Sequence, residues 1–177
     1  MSYTSIPADN RILFHRRDAA DFGFLSNFHM AAIEVDGQRW PSTEHYYQAQ
    51  KSLDEEYQRL VQAARTPGEA KRLGALNPQK KSSRKKSWFT GRKDQLRGDW
   101  DVVKCDVMQA ALEAKFHHNS DLRNKLLATL DAELVEDSRS DYFWGAGEDG
   151  SGQNQLGRML MTIRAQLAAD TRTANHD

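Results

Sequence analysis

Residues 40–51 read Trp-Pro-Ser-Thr-Glu-His-Tyr-Tyr-Gln-Ala-Gln-Lys. Pro41 and the Ser42–Thr43 pair predict a helix start, with a rigid entry followed by hydroxyls able to cap unpaired N–H groups. Glu44 falls in the first turn, where the helix dipole favours a carboxylate. At helical spacing Glu44, Tyr47, Gln48 and Lys51 (i, i+3, i+4, i+7) share one face. That face gathers an acid, a phenol, an amide and an amine beside aromatic residues. The ordinary alternative is a capping Glu and an exposed Lys on a solvated helix face.

Outward from this helix the chain predicts a single α+β domain, predominantly α-helical with a few short strands. Residues 1–10 read as a flexible lead-in, 11–169 as the domain and 170–177 as a disordered tail. Arg11–Phe14 is a strand candidate, and 22–28 reads as a strand running into a loop. Asp36-Gly37 marks a hairpin turn inside 31–40. Asp54 caps a second helix to about Ala64, and Thr66-Pro67 opens a third, ended by Asn77-Pro78. Residues 79–98 predict irregular structure. Asp99–His118 is the longest predicted helix, with Trp100, Val103, Val107, Ala110 and Ala114 as its core stripe. Ser120 caps a helix to about Leu130, 132–136 reads as a strand, and Asn154 caps a last helix bearing Leu156, Leu160, Ile163 and Leu167.

Composition narrows the class. The chain has 177 residues, 38% of them hydrophobic, and one cysteine, Cys105. It can bury a core. It carries no stretch approaching the ~18 apolar residues of a membrane span, and no internal disulfide is available. With no secretory start at Met1–Asn10, a cytoplasmic setting is expected. Net charge is zero, yet residues 71–104 hold eleven Lys or Arg against three acids, a local +8. Such a field suits a phosphate-bearing ligand or nucleic acid. The six histidines show no metal-ligand spacing, so no metal and no cofactor are expected.

A second polar constellation lies at 141–160, Asp-Tyr-Phe-Trp-Gly-Ala-Gly-Glu-Asp-Gly-Ser-Gly-Gln-Asn-Gln-Leu-Gly-Arg-Met-Leu. Gly145, Gly147, Gly150 and Gly152 allow close approach of backbone to a ligand. The loop lacks the Gly-Lys-Ser/Thr of a P-loop and the βαβ setting of a dinucleotide fingerprint. Trp88 and Trp144 sit in polar surroundings where an indole can stack on a flat base, although either can equally serve as core. Arg97 and Arg92 carry forks suited to phosphate. Lys51, if desolvated, becomes a nucleophile toward a masked aldehyde such as the C1 of an N-linked ribose. Glu44 on the same face suits proton transfer to the sugar oxygen and the leaving nitrogen. The residues equally allow direct attack by water activated by Glu44 or Asp141, with Lys51 only positioning the ligand.

Taken with Phe24-Leu-Ser-Asn-Phe28, the helix and the glycine-rich loop resemble, in order, three blocks of the NADAR (YbiA-like) family over about residues 12–167. The resemblance implies a mostly helical fold and N-glycosidase activity. It implies as substrate either an early phosphoribosyl intermediate of the riboflavin pathway or ADP-ribosylated guanine in nucleic acid. By motif position it implies Glu44, Lys51 and Asp141 as catalytic residues. Asn27, Tyr47, Gln48, Trp88, Arg97, Trp144, Gly145, Gly147 and Asn154 complete the expected substrate-binding set. The competing class is a non-catalytic ADP-ribose or nucleotide-binding module. Oligomeric state is not legible in the sequence.

Overall fold

The computed structural model describes residues 6–15, 21–76 and 87–174. Among them are six α-helices and four short strands. They fall into two compact units, residues 30–115 and residues 1–29 with 116–177.

The 30–115 unit opens with an antiparallel hairpin, β2 (Ile33–Val35) and β3 (Gln38–Trp40). Asp36 and Gly37 have φ of 51° and 73°, as the two-residue turn expected from Asp-Gly requires. Helix α1 (Thr43–Ala49) follows, with Ser42 as its N-cap accepting from the His45 N–H. Asp54 caps α2 (Glu55–Gln62) and Thr66 caps α3 (Pro67–Leu73), both through side-chain oxygens as their sequences predict. Residues 87–98 hold turns and a short 3₁₀ segment, Lys93–Gln95. Asn77-Pro78 and residues 79–86 of the basic stretch lie outside the described residues.

The other unit pairs β1 (Arg11–Phe14) in parallel with β4 (Glu133–Glu136). Helices α5 (Ser120–Leu127) and α6 (Gln155–Ala174) belong to it. Helix α4 (Trp100–His118) begins in the first-described unit and ends in this one. Leu156, Leu160, Ile163 and Leu167 are all buried, as their 3–4 spacing predicts.

Five local expectations are corrected. Residues 22–28 form no strand; Gly23–Leu25 is a 3₁₀ turn, because Ser26 Oγ bonds the His15 carbonyl and the Phe28 N–H and so turns the backbone. The longest described helix is α6, at 20 residues, one more than α4. The buried face of α4 runs through Trp100, Val107, Met108, Ala111, Leu112 and Lys115. Val103 and Ala110 lie at its margin, since the 3.6 period drifts from a strict 3–4 count. Asn119, not Ser120, is the cap position of α5. Helix α6 runs on to Ala174, past the expected boundary at 170.

Asn154 precedes α6 as expected, but its side chain does not cap the helix. It accepts from the Glu136 N–H (3.0 Å) and donates to the Leu134 carbonyl (2.8 Å). It thereby pairs β4 as a neighbouring strand would, at a φ of 49° that asparagine tolerates. A Cβ on Gly157, one turn on, would overlap the same Leu134 carbonyl. Asn154→Ala should therefore cost about 2–4 kcal/mol, from two backbone groups left unpaired. Urea unfolding measures this, and a loss below about 0.5 kcal/mol would contradict the assignment.

Candidate active site

Every residue of α1 is buried, so the polar stripe is not a solvated face. Glu44, Tyr47, Gln48 and Lys51 retain 5%, 7%, 4% and 8% of their exposure. The helix ends at Ala49 with Gln50 as its C-cap, so Lys51 lies just past α1 and not on its face as its i+7 spacing predicts. Burying a carboxylate and an amine so near each other is costly unless each is held, and the structure shows what holds them.

Gln48 Nε2 donates to Glu44 Oε1 at 2.8 Å, one turn along the helix. Lys51 Nζ donates to the Gly74 carbonyl at 2.9 Å. It also stands 5.6 Å from the Tyr47 ring centroid and 5.8 Å from that of Trp100, two rings packed at 5.0 Å. Burial lowers the Lys51 pKa to about 8, with Lys71 adding to the fall and Glu44 opposing it. The amine is therefore poised near neutral pH while staying coupled to Glu44.

The supports of this buried cluster are residues that the motifs do not single out. Tyr57 on α2 is fully buried and donates its hydroxyl to the Gln48 carbonyl at 2.7 Å. Burial and then the charge of Glu44 push its pKa up, so it remains a neutral donor. The Asp54 cap three residues earlier was the available signal for where Tyr57 would face. His45 is wholly buried between Ser42 Oγ (2.7 Å) and the Ala64 carbonyl (3.1 Å). Nε2 must donate to that carbonyl, so Nδ1 accepts from Ser42, which fixes the neutral tautomer. Burial lowers its pKa in keeping. This strut ties the first turn of α1, and with it Glu44, to the end of α2.

The remaining expected residues of this unit are placed as follows. The Arg97 N–H donates to the Lys51 carbonyl at 3.0 Å and secures the end of the helix. Its guanidinium forks onto Asp99 at 2.6 and 2.9 Å, so a phosphate would have to displace a carboxylate. Trp88 packs on Tyr57 at 5.6 Å, with the Arg92 guanidinium 4.4 Å over its ring. It lines the Tyr57 side of the site and already carries a stacked cation.

In the other unit Asn27 is buried just after the 3₁₀ turn. Asp141 Oδ1 accepts from the N–H groups of Phe143 (3.0 Å) and Trp144 (2.8 Å), an Asx turn that shapes the loop. Trp144 is half-buried and edge-on to Phe143 at 5.0 Å. Gly145 is closed in by the Glu136 carbonyl and Ser138, so a Cβ has no room there. Gly147 has φ of 71° and lies under the Tyr142 ring. Glu136, unread in the sequence, is buried at the foot of this loop with His15 Nδ1 2.7 Å from its carboxylate. Among the described residues there is no group of His, Cys, Asp and Glu suited to a metal ion, and no helix is long and apolar enough to cross a membrane.

The NADAR domain pattern matches residues 13–168, and the chain belongs to the NADAR family. It is 43% identical over 150 residues to N-glycosidase YbiA of Escherichia coli K12, covering 85% of this chain and 84% of that one. It is 42% identical over 156 residues to riboflavin biosynthesis protein VVA0006 of Vibrio vulnificus, covering 88% of this chain and 38% of that longer one. The solved NMR structure of E. coli YbiA superposes with a TM-score of 0.74 at 41% identity, over 94% of this chain and 89% of the other. The mostly helical architecture with few short strands is thus shared.

The depressed Lys51 pKa has a consequence for stability. The folded-state value lies below the unfolded one, so between pH 8 and 10.5 the unfolded chain binds more protons and stability rises with pH. The rise is at most about 3 kcal/mol, and the penalty is fully present below pH 8. Lys51→Met should be more stable than wild type at pH 7 and should lose that rise. Denaturation followed at several pH values checks both, and an unchanged pH slope would contradict the placement of the amine.

Proposed function

We propose that this NADAR-family N-glycosidase hydrolyses the bond between a base-like ring nitrogen and C1 of a phosphorylated ribose, with Glu44 moving the proton and Lys51 attacking the sugar. The observation that carries this reading is a buried amine with a pKa near 8, just past the end of α1, electrostatically coupled to the buried carboxylate of Glu44. Protonation of the ring oxygen by Glu44 opens the sugar to an iminium at C1. The neutral amine of Lys51 adds to C1 and the base leaves with its proton, giving a protonated imine. Water adds to that imine and releases the sugar and the free amine. The net change is one water consumed, one N–C bond broken and one base released.

The coupling between the two groups suits this cycle. An ionised Glu44 stabilises the protonated imine on Lys51, and it takes back its proton from the ammonium that imine hydrolysis releases. Burial is the main cause of the lowered pKa, with Lys71 adding to it, and the Gly74 carbonyl accepts from the amine.

Substrate assignment follows the relatives. VVA0006 carries riboflavin biosynthesis in its name, as does the PYRR protein of Zea mays, 34% identical over 172 residues. We assign the substrate to early phosphoribosyl intermediates of that route. The +8 charge of residues 71–104 supports the second reading, an ADP-ribosylated guanine in nucleic acid, because a base held in a polymer needs a wider basic track. Incubating the protein with each substrate and detecting the released base by mass spectrometry separates the two. Tight binding without release from either would establish a binding module instead.

Glu44→Gln should lower kcat by ~10²–10⁴-fold with thermal stability retained, since the change is nearly isosteric. Activity within about threefold of wild type would remove Glu44 from the reaction.

A further inference from the structure

Gln48 is 96% buried, and its side-chain amide makes one of the four hydrogen bonds it can form. Its Nε2 donates to Glu44, while its Oε1 is sealed from solvent and has no partner among the described residues. An orphaned buried carbonyl is uncommon and costs free energy. Its surroundings are specific. A Cβ on Gly74 would overlap Oε1, and the Tyr57 hydroxyl oxygen lies 2.9 Å from that same point. Gly74 has φ of −86°, which any residue adopts, so backbone conformation does not require glycine here. Glycine leaves a notch, and the amide oxygen occupies it.

The sense of the amide follows from the charge of its partner. An ionised carboxylate only accepts, so the NH₂ end must face Glu44. Once Glu44 carries a proton it becomes a donor, and the end of the amide that suits it is the one now idle.

We infer that Gln48 is a positioning residue whose amide turns over with the protonation of Glu44, presenting NH₂ to the carboxylate and C=O to the carboxylic acid. In the turned state Nε2 enters the Gly74 notch. There the Tyr57 oxygen, whose own hydrogen is committed to the Gln48 backbone carbonyl, has lone pairs to accept it. Each protonation state of Glu44 then has a matched partner, and the general acid keeps one position through the cycle. The orphaned Oε1 is the acceptor held for the acid form. Among the described residues, the titratable groups coupled to this unit include Lys51 just past α1 and Tyr57 on α2, which both sense the charge of Glu44, and Lys71 on α3, which acts on Lys51. The inference rests on Glu44 being the acid–base group, but its test needs no turnover.

The test is side-chain NMR on the whole protein, with labelled glutamine and glutamate, across the titration of Glu44 read from its own carboxyl carbon. Above the midpoint, the Gln48 NH₂ protons should show NOEs to the Glu44 Hγ protons. Below it those should fade and NOEs to the Gly74 Hα protons should replace them, at the same midpoint. In Glu44→Gln the pattern should not change with pH. NH₂ protons that stay on Glu44 at both extremes, or a change that persists in Glu44→Gln, would overturn the inference. In turnover, Gln48→Met should lower kcat about tenfold or more with KM within threefold, and should shift the acid limb of the pH profile. An unmoved acid limb would also count against it. Absence of base release by wild type would instead sink the N-glycosidase assignment and leave the NMR result standing.

Discussion

The 30–115 unit is built around the cost of keeping an amine out of water. Lys51 has one carbonyl and two aromatic faces for company. None of them is an acid hydrogen-bonded to it that would hold it charged. Its lowered pKa is therefore a property of the packing. Three segments make that packing. The turn after α1 supplies the side chain, the residue after α3 supplies the acceptor, and the start of α4 supplies the Trp100 ring.

A site of this kind must be rigid, because a small shift of the amine toward water would restore its ordinary basicity. Rigidity comes from neutral hydrogen bonds. His45 braces the first turn of α1 against the end of α2, and Tyr57 braces its last turn through the Gln48 carbonyl. The Arg97 backbone closes the helix end at the Lys51 carbonyl. Charged groups in these places would have changed the field at Lys51. Neutral imidazole, phenol and peptide groups hold the geometry without doing so.

Much of this was legible in the sequence where local chemistry speaks directly. The caps at Ser42, Asp54 and Thr66, the Asp36-Gly37 turn and the Leu/Ile spacing of α6 are short-range signals, and each matches the structure. The reactive face of α1 was legible as a set of residues but not as a buried one. Burial depends on α2 and α3 packing from either side, which no local pattern encodes. Gly74 is the sharpest case. In sequence it resembles an ordinary helix C-terminal glycine, whereas in the fold it makes room for the Gln48 amide. Asn154 was read as a cap because of where it stands, yet its side chain serves β4, eighteen and twenty residues back. The glycines at 145 and 152 were read as freedom for a ligand-binding loop. The structure gives them a packing reason, since a Cβ at each would strike backbone.

The account turns on Lys51 acting as a nucleophile, not as a bystander to attack by water. Borohydride added during turnover should reduce the imine to a stable secondary amine. Intact mass should then rise by the reduced sugar phosphate, and peptide mapping should place that mass on Lys51. Lys51→Arg should trap nothing, because a guanidinium stays protonated and forms no imine. An enzyme that releases base steadily in borohydride without gaining mass, or that gains it on another lysine, would contradict the account.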